Sequence, residues 1–360
     1  MNGEKNREDL SGKRILINAL VNLGDVVLAT SAAALLKKID PSVHVAMMVR
    51  PFAREIVVNN PVIDDVIIFS YKAKQKSYRI MWQMVKTIRH GRYDVCISLD
   101  RKLRPALLTF LARIPERVVP ERIFDDKPSK VVWLYNRVIP MPRFFLYQPQ
   151  AENFQTVIRG WLNVNNIHAK PVIGVPTKHN RLNAETLMTR LNPERKHIAL
   201  CVKGSFPLKN WPKEYFARLI KKLQQRYDAD FFIIGAPGDR EYADEVISGS
   251  MVSVQNFCGD TSLMDLVEVF KHTFLFVSVD TGSLHIAATT DVPIVAMYGC
   301  GPSTRWPPMS DNSRVVTTNE SCSPCHVQPD ACPSNPRPKC QWNITPDMVM
   351  NACEDLIRNH

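Results

Sequence analysis

The stretch Val279-Asp280-Thr281-Gly282-Ser283-Leu284-His285-Ile286-Ala287-Ala288 decides the fold. The apolar run Thr273-Phe274-Leu275-Phe276-Val277 precedes it, and a second run, Pro293-Ile294-Val295-Ala296-Met297-Tyr298-Gly299, follows. A strand that stops at Asp-Thr-Gly and turns at once into a helix leaves backbone N–H groups, a hydroxyl and a carboxylate at its carboxyl end. Open α/β sheets bind phosphorylated ligands at such an edge. The same punctuation recurs where Arg14-Ile15-Leu16-Ile17-Asn18-Ala19-Leu20 runs into Asn22-Leu23-Gly24-Asp25 and then the helical pattern Val26 to Ser31. Two such edges predict two nucleotide-fold-like halves.

Length agrees with that division. At 360 residues the chain exceeds the roughly 250–300 at which a single core stops growing. With 45% hydrophobic and 22% charged residues it has the composition of an ordinary globular protein. Its mixed-charge start, Met1 to Asp9, and a first apolar run broken by Asn18, Asn22 and Asp25 predict neither a secretory signal nor a membrane span. The expectation is a cytoplasmic protein.

The net charge of +11 calls for an anionic partner or none. Lys and Arg are dispersed, with no arginine-rich arm and no nucleic-acid module, which argues against nucleic acid. An anionic membrane surface, or an acidic acceptor embedded in one, suits dispersed cations; a solvated surface without a partner is the bland alternative.

From Arg14 to about Val131 short β-branched runs alternate with helical patterns. Val43–Val49, Val66–Phe69 and Asp94–Leu99 predict buried parallel strands, and Met81–Arg89 and Pro105–Leu111 predict helices. The stretch Gln148 to Arg195 is different, rich in Asn, Pro and His, with one helix at Asn153–Leu162. Alternation resumes at His197–Val202 and continues through the helix Lys213–Tyr227 and the strand Asp230–Gly235. The predicted organisation is therefore a first Rossmann-like domain at 1–165, a connection at 166–195, a second domain at 196–345 and a carboxyl-terminal helix at 346–360.

Several residues at the predicted edges carry chemistry. Asp25 is a candidate general base, against the plainer role of capping the following helix. Lys203-Gly204 and Lys209-Asn210-Trp211-Pro212 follow the first strand of the second half, where mobile ammonium groups can embrace a diphosphate, although solvated lysines are the commoner outcome. The loop Gly235-Ala236-Pro237-Gly238-Asp239-Arg240-Glu241 offers Asp239 and Glu241 to ribose hydroxyls, or simply starts a helix. His285, four residues after Thr281, is either a helix-surface histidine or a donor to a leaving phosphate.

Taken in order, these residues resemble glycosyltransferase family 9, the lipopolysaccharide heptosyltransferases, from Ile15 to about Val349. The resemblance is carried by Gly24-Asp25 with Thr30, Asn60-Pro61-Val62-Ile63-Asp64, Lys209 to Pro212, Gly235 to Glu241, and Asp280-Thr281-Gly282-Ser283-Leu284-His285 with Pro293 and Tyr298-Gly299. It implies a GT-B fold of two Rossmann-like domains with parallel sheets facing a central cleft, and a metal-independent inverting transfer. It also implies a nucleotide-diphosphate sugar, ADP-heptose foremost, as donor and a lipid-linked glycan of the lipopolysaccharide-core type as acceptor, with peripheral contact at the cytoplasmic face of the inner membrane. Asp25, Lys209 and His285 become the expected catalytic groups. Lys203, Gly204, Lys209, Gly235, Asp239, Glu241, Asp280, Thr281, Gly282 and His285 become the expected donor contacts. Val202-Lys203-Gly204 departs from the His-Pro-Gly of many relatives, and Arg113 to Arg122 lacks the glycines usual on the acceptor side. A relative using a UDP or GDP sugar, or a non-catalytic sugar-nucleotide binder, is the alternative reading.

The chain has nine cysteines. Cys96, Cys201 and Cys258 sit in apolar contexts as small buried groups, and no role is assigned to Cys300 or Cys353. Cys322, Cys325, Cys332 and Cys340, in a Pro-rich segment, match a structural zinc site in number, with shorter gaps than the two-knuckle pattern. Many members of the family carry the same series. Unligated thiols in an ordered loop are the other reading; no cofactor is expected for catalysis.

Overall fold

A computed structural model describes residues 9–70, 78–325 and 329–358; the charged start at 1–8 lies outside the described residues. Two compact units divide the chain, Met1–Val175 and Pro176–His360. The first runs β1 (Arg14–Asn18), α1 (Leu23–Ile39), β2 (His44–Val49), α2 (Arg54–Val57), β3 (Asp65–Ile68), α3 (Tyr78–His90), β4 (Val95–Ser98), α4 (Leu103–Leu111), β5 (Glu116–Pro120), β6 (Arg137–Ile139) and α5 (Gln150–Leu162). Its six strands are parallel, in the order β3-β2-β1-β4-β5-β6.

Ile15, Leu16 and Ile17 of β1 are wholly buried beside Val45, Ala46 and Met47 of β2. A strand apolar on both faces needs helices on both. On one face Leu16, Ala46, Met48 and Cys96 pack with Val85 and Ile88 of α3 and Leu108 of α4. On the other, α1 lies against α5. The small residues Ala29, Ser31, Ala32 and Ala33 let the two backbones approach, and Ser31 Oγ donates to the Ala151 carbonyl at 3.3 Å. Asp25 in the first turn of α1 and Lys37 and Lys38 in its last complement the helix dipole.

The second unit runs α6 (Lys178–Met188), β7 (Lys196–Cys201), α7 (Lys213–Arg226), β8 (Ala229–Ile233), α8 (Arg240–Ser250), β9 (Val254–Asn256), α9 (Leu263–Lys271), β10 (Leu275–Val279), α10 (Gly282–Ala287), β11 (Ile294–Tyr298), β12 (Ser313–Thr317), α11 (Lys339–Trp342) and α12 (Pro346–Arg358). Its parallel sheet has the order β12-β11-β10-β7-β8-β9. Both sheets thus share one winding, with the direction of strand addition reversing between β1 and β4 in the first and between β7 and β10 in the second. Loops at such a switch point diverge and leave a crevice.

Two differences from the sequence expectation stand out. The predicted connection at 166–195 is divided, since the boundary falls after Val175 and residues 178–188 form α6 against α9. Asn180 makes α6 part of the second unit by donating to Asp265 Oδ1 at 2.7 Å. Arg113 to Arg122, expected only to lack glycines, contains strand β5. The predicted carboxyl-terminal helix at 346–360 is α12, which packs on α7 and β12.

Candidate active site

At the second switch point, the loop after β7 meets the turn after β10. Lys209 Nζ lies 2.7 Å from Asp280 Oδ2, and Asp280 is 6% exposed. Gly204 makes this approach possible: a Cβ there would stand 2.9 Å from Lys209 Cβ and 3.2 Å from the Asp280 carbonyl oxygen. Its N–H donates to Asn210 Oδ1 at 2.9 Å, which fixes the loop. Gly301 serves the opposite side of the same carboxylate, since a Cβ there would fall 2.5 Å from Asp280 Oδ2.

Thr281 precedes α10 in extended conformation, and its side chain makes no capping bond to the helix. His285 lies beneath, 3% exposed. Burial pushes its pKa down to about 4, against a smaller upward pull from Asp280 and a further downward push from Lys209. Its Nδ1 has no hydrogen-bond partner among the described residues. His285 is therefore neither a surface residue nor a cation at neutral pH. It is a neutral imidazole that offers one N–H and one lone pair.

Lys203 pairs with Asp239 at 2.9 Å. Asp239 also accepts from the Ala236 N–H at 2.9 Å and so closes the turn after β8. Gly235 sits against it, with space for a Cβ blocked by Cys258 Sγ at 2.9 Å. Glu241 is exposed in the first turn of α8. The structure thus gathers Lys203 with Asp239, and Lys209 with Asp280 and His285, while Glu241 takes part in neither group.

In the first unit, Asp25 occupies the first turn of α1, and the capping position belongs to Asn22. It is 8% exposed. Across the switch point, at the end of β4, stands a cluster that sequence reasoning missed. Asn18 Nδ2 donates to Ser98 Oγ at 2.7 Å and to Asp100 Oδ1 at 3.1 Å. Asp100 is 1% exposed, and burial raises its pKa to about 6 against the counter-pull of Lys102, its backbone N–H, Asn18 and Ser98. Lys102 Nζ donates to the Leu20 carbonyl at 2.7 Å, and the charges acting on it include Asp100, Arg50 and Asp25. Asp100 Oδ2 and Asn18 Oδ1 have no partner among the described residues. The available signal was Ser98-Leu99-Asp100, a carboxylate at a strand end like that of Asp280.

In the cysteine segment the thiol of Cys300 joins the four named from sequence. Cys300 and Cys340 are buried with Leu208, and Cys325, Cys332 and Phe206 lie against them, whereas Cys322 is exposed. Burial first, then the neighbouring thiols, pushes Cys340 up to about 12. Among the described residues no group of three or more His, Cys, Asp or Glu could hold a metal ion. The segment braces the lysine loop. Gln341 Nε2 donates to the Leu208 carbonyl at 2.9 Å, Ser323 Oγ to the Gly299 carbonyl at 2.6 Å, and the Cys325 N–H to the Cys300 carbonyl at 2.9 Å.

A model of glycosyltransferase family 9 (heptosyltransferase) matches residues 81–334. The lipopolysaccharide heptosyltransferase 2 of Salmonella typhimurium is 25% identical over 316 residues, which cover 84% of this chain and 87% of that protein. Among solved structures, a family 9 glycosyl transferase from Veillonella parvula superposes with a TM-score of 0.84 at 21% identity, over 98% of this chain and 99% of the other. The ADP-heptose lipopolysaccharide heptosyltransferase II of E. coli gives 0.77 at 20% identity, over 96% and 99%. These structures share the GT-B fold of two Rossmann-like units.

Proposed function

The chain belongs to glycosyltransferase family 9, the heptosyltransferases, and on that premise we propose that it moves heptose from ADP-heptose to a hydroxyl of a lipopolysaccharide-core-type, lipid-linked glycan. The observation that carries this reading is the Lys209–Asp280 ion pair at 2.7 Å, set at a switch point above the buried His285. An ammonium held at the carboxyl edge of a sheet by a single carboxylate is placed to exchange that partner for a diphosphate.

In the proposed reaction Asp25 removes the acceptor hydroxyl proton as the oxygen attacks the anomeric carbon. The bond from that carbon to the diphosphate oxygen breaks on the opposite side, which inverts the configuration. Charge accumulating on the departing diphosphate is met by Lys209, the Thr281 hydroxyl, the N–H groups at Gly282 and Ser283, and the neutral His285 N–H. Lys203 and Gly204 supply a second contact. These groups replace the divalent cation that other transferases use, so the reaction runs without metal.

Thermal unfolding with ADP, UDP and GDP tests the donor, because a ligand that binds only the folded state raises its stability by mass action. ADP is expected to give the largest rise, and turnover with ADP-heptose to follow. A larger rise with UDP or GDP, and turnover only with the corresponding sugar, overturns the donor assignment.

A further inference from the structure

Helices α3 and α4 cover one face of the first sheet, and their outer surface takes no part in the chemistry above. Residues 78–92 and 101–115 contain no Asp or Glu. Arg79, Lys86, Arg89, Arg92 and Arg113 are exposed there. Tyr78, Trp82, Lys86 and Arg89 recur at the spacing of a single helical stripe that flanks the buried Val85 and Ile88, and Trp82 and Arg89 meet Phe110 and Leu111 of α4. Leu103 and Phe110, two turns apart, form the matching stripe on α4.

Large apolar groups stand among these cations. Tyr78 is 83% exposed, Trp82 54%, Leu103 54% and Phe110 45%. Trp82 and Phe110 line a groove of about 500 Å³ with Arg89, Arg113 and Arg117, and no carboxylate borders it. The groove is held in shape. Arg117 stacks over the Phe110 ring with its guanidinium carbon 5.4 Å from the centroid, and Arg89 Nη2 donates to the Leu111 carbonyl at 2.7 Å.

We propose that this α3–α4 face docks on the surface of an anionic phospholipid bilayer. Two features together favour that occupant. Cations that outnumber the carboxylates, with Asp94 beside Arg89, Arg92 and Arg113, complement a dense layer of lipid phosphates, where each Lys or Arg strengthens binding about five-fold. Trp and Tyr, with an apolar ring and a polar atom, settle at the depth of the headgroups, which phosphate attraction alone does not require. The use of such docking, bringing the enzyme to an acceptor that is itself lipid-linked, rests on the function proposed above; the face and its charge do not.

Sedimentation of the full chain with vesicles of phosphatidylethanolamine and phosphatidylglycerol, against vesicles of phosphatidylcholine alone, tests the proposal. Binding is expected to the anionic vesicles only, and to fall as salt rises. Lys86→Glu with Arg113→Glu should weaken it by at least about 25-fold, taking five-fold for each lost cation, and Trp82→Ser by a smaller factor. All variants should retain the parent's melting temperature and its turnover on a delipidated, soluble acceptor fragment. Equal binding to both vesicle types, or unchanged binding by the charge-reversed variant, overturns the proposal. Displacement from anionic vesicles by single-stranded RNA at matched phosphate concentration would overturn it too, in favour of a nucleic-acid partner. Loss of turnover on the soluble fragment with parent protein would instead strike at the proposed function and leave the docking result standing.

Discussion

The two switch points are wound alike and furnished in opposite ways. At the second switch point Lys203 pairs with Asp239 and Lys209 with Asp280. In the first, Asp25 and Asp100 share the neighbourhood of Lys102, whose ammonium is taken up by a backbone carbonyl. Paired opposite charges can trade a carboxylate for a phosphate with little net change in charge. At the first edge the burial of Asp100, rather than a want of cations, favours taking up a proton. On the proposed reading, the same topology holds a diphosphate at one edge and accepts a hydroxyl proton at the other.

Removing the base breaks this contrast most directly. Asp25→Asn is expected to lower kcat by at least about 100-fold, since general-base catalysis contributes 10²–10⁴-fold, while calorimetry with ADP gives unchanged affinity. Unchanged turnover in the variant would assign the base elsewhere in the cluster, with Asp100 next in line.

Lys209→Ala removes one half of an exchangeable pair and should weaken ADP binding by roughly 10–100-fold, the range of a charge-assisted hydrogen bond. Because His285 is held near pKa 4, that affinity should show no titration by His285 between pH 5.5 and 8. A step near pH 6.5 that disappears in His285→Ala would mean that the imidazole becomes charged with the donor bound.

Asp100 sharpens the contrast through stability. Burial lifts its pKa in the folded state from the ordinary carboxylate value of 3.8 to about 6, so the folded state holds the proton more tightly. The stabilising contribution is complete below about pH 4 and is lost as pH rises through 6. Ionising it in place costs about 1–3 kcal/mol by pH 7.5. Urea unfolding from pH 4.5 to 7.5 should therefore show a fall in stability that Asp100→Asn flattens; parallel curves for the two proteins would contradict the assignment.

The smallest expected effect is none. EDTA should leave the initial transfer rate unchanged, and an immediate loss restored by magnesium or manganese would refute the metal-free mechanism. Elemental analysis of the same sample decides the cysteine segment separately. One zinc per chain would place metal at Cys340 and the thiols of Cys322, Cys325 and Cys332 that neighbour it.

Both sheets were legible in the sequence where strands are apolar on both faces, as at Ile15–Ile17 and Phe276–Val279, and where Gly or Asp ended them. Strand β5 was not, because Glu116 and Arg117 break the apolar run and Pro115 and Pro120 bracket it. Helix α6 was hidden by polarity: only Ala184 and Leu187 are buried, and its start rests on a reciprocal Thr177–Asn180 cap rather than on apolar spacing. At the site, single strand-end residues such as Asp25 and Asp280 could be named from local punctuation. Their partners could not, since Lys209 and Asp280 lie far apart in the chain and meet only through strand order. Cys300 drew no role from sequence for the same reason, although it immediately follows the Tyr298-Gly299 strand end.

The bond from Gln341 to the Leu208 carbonyl spans 133 residues, as does that from Trp211 Nε1 to the Ile344 carbonyl. A loop secured by contacts so distant in sequence opens whenever the remote segment opens, so its amides should exchange with solvent at the rate set by that segment rather than by its own short length. Alkylation of the exposed Cys322, or a proteolytic nick nearby, would then register first as faster deuterium uptake at Phe206 to Asn210. Damage in that segment thus reaches the lysine through the main chain.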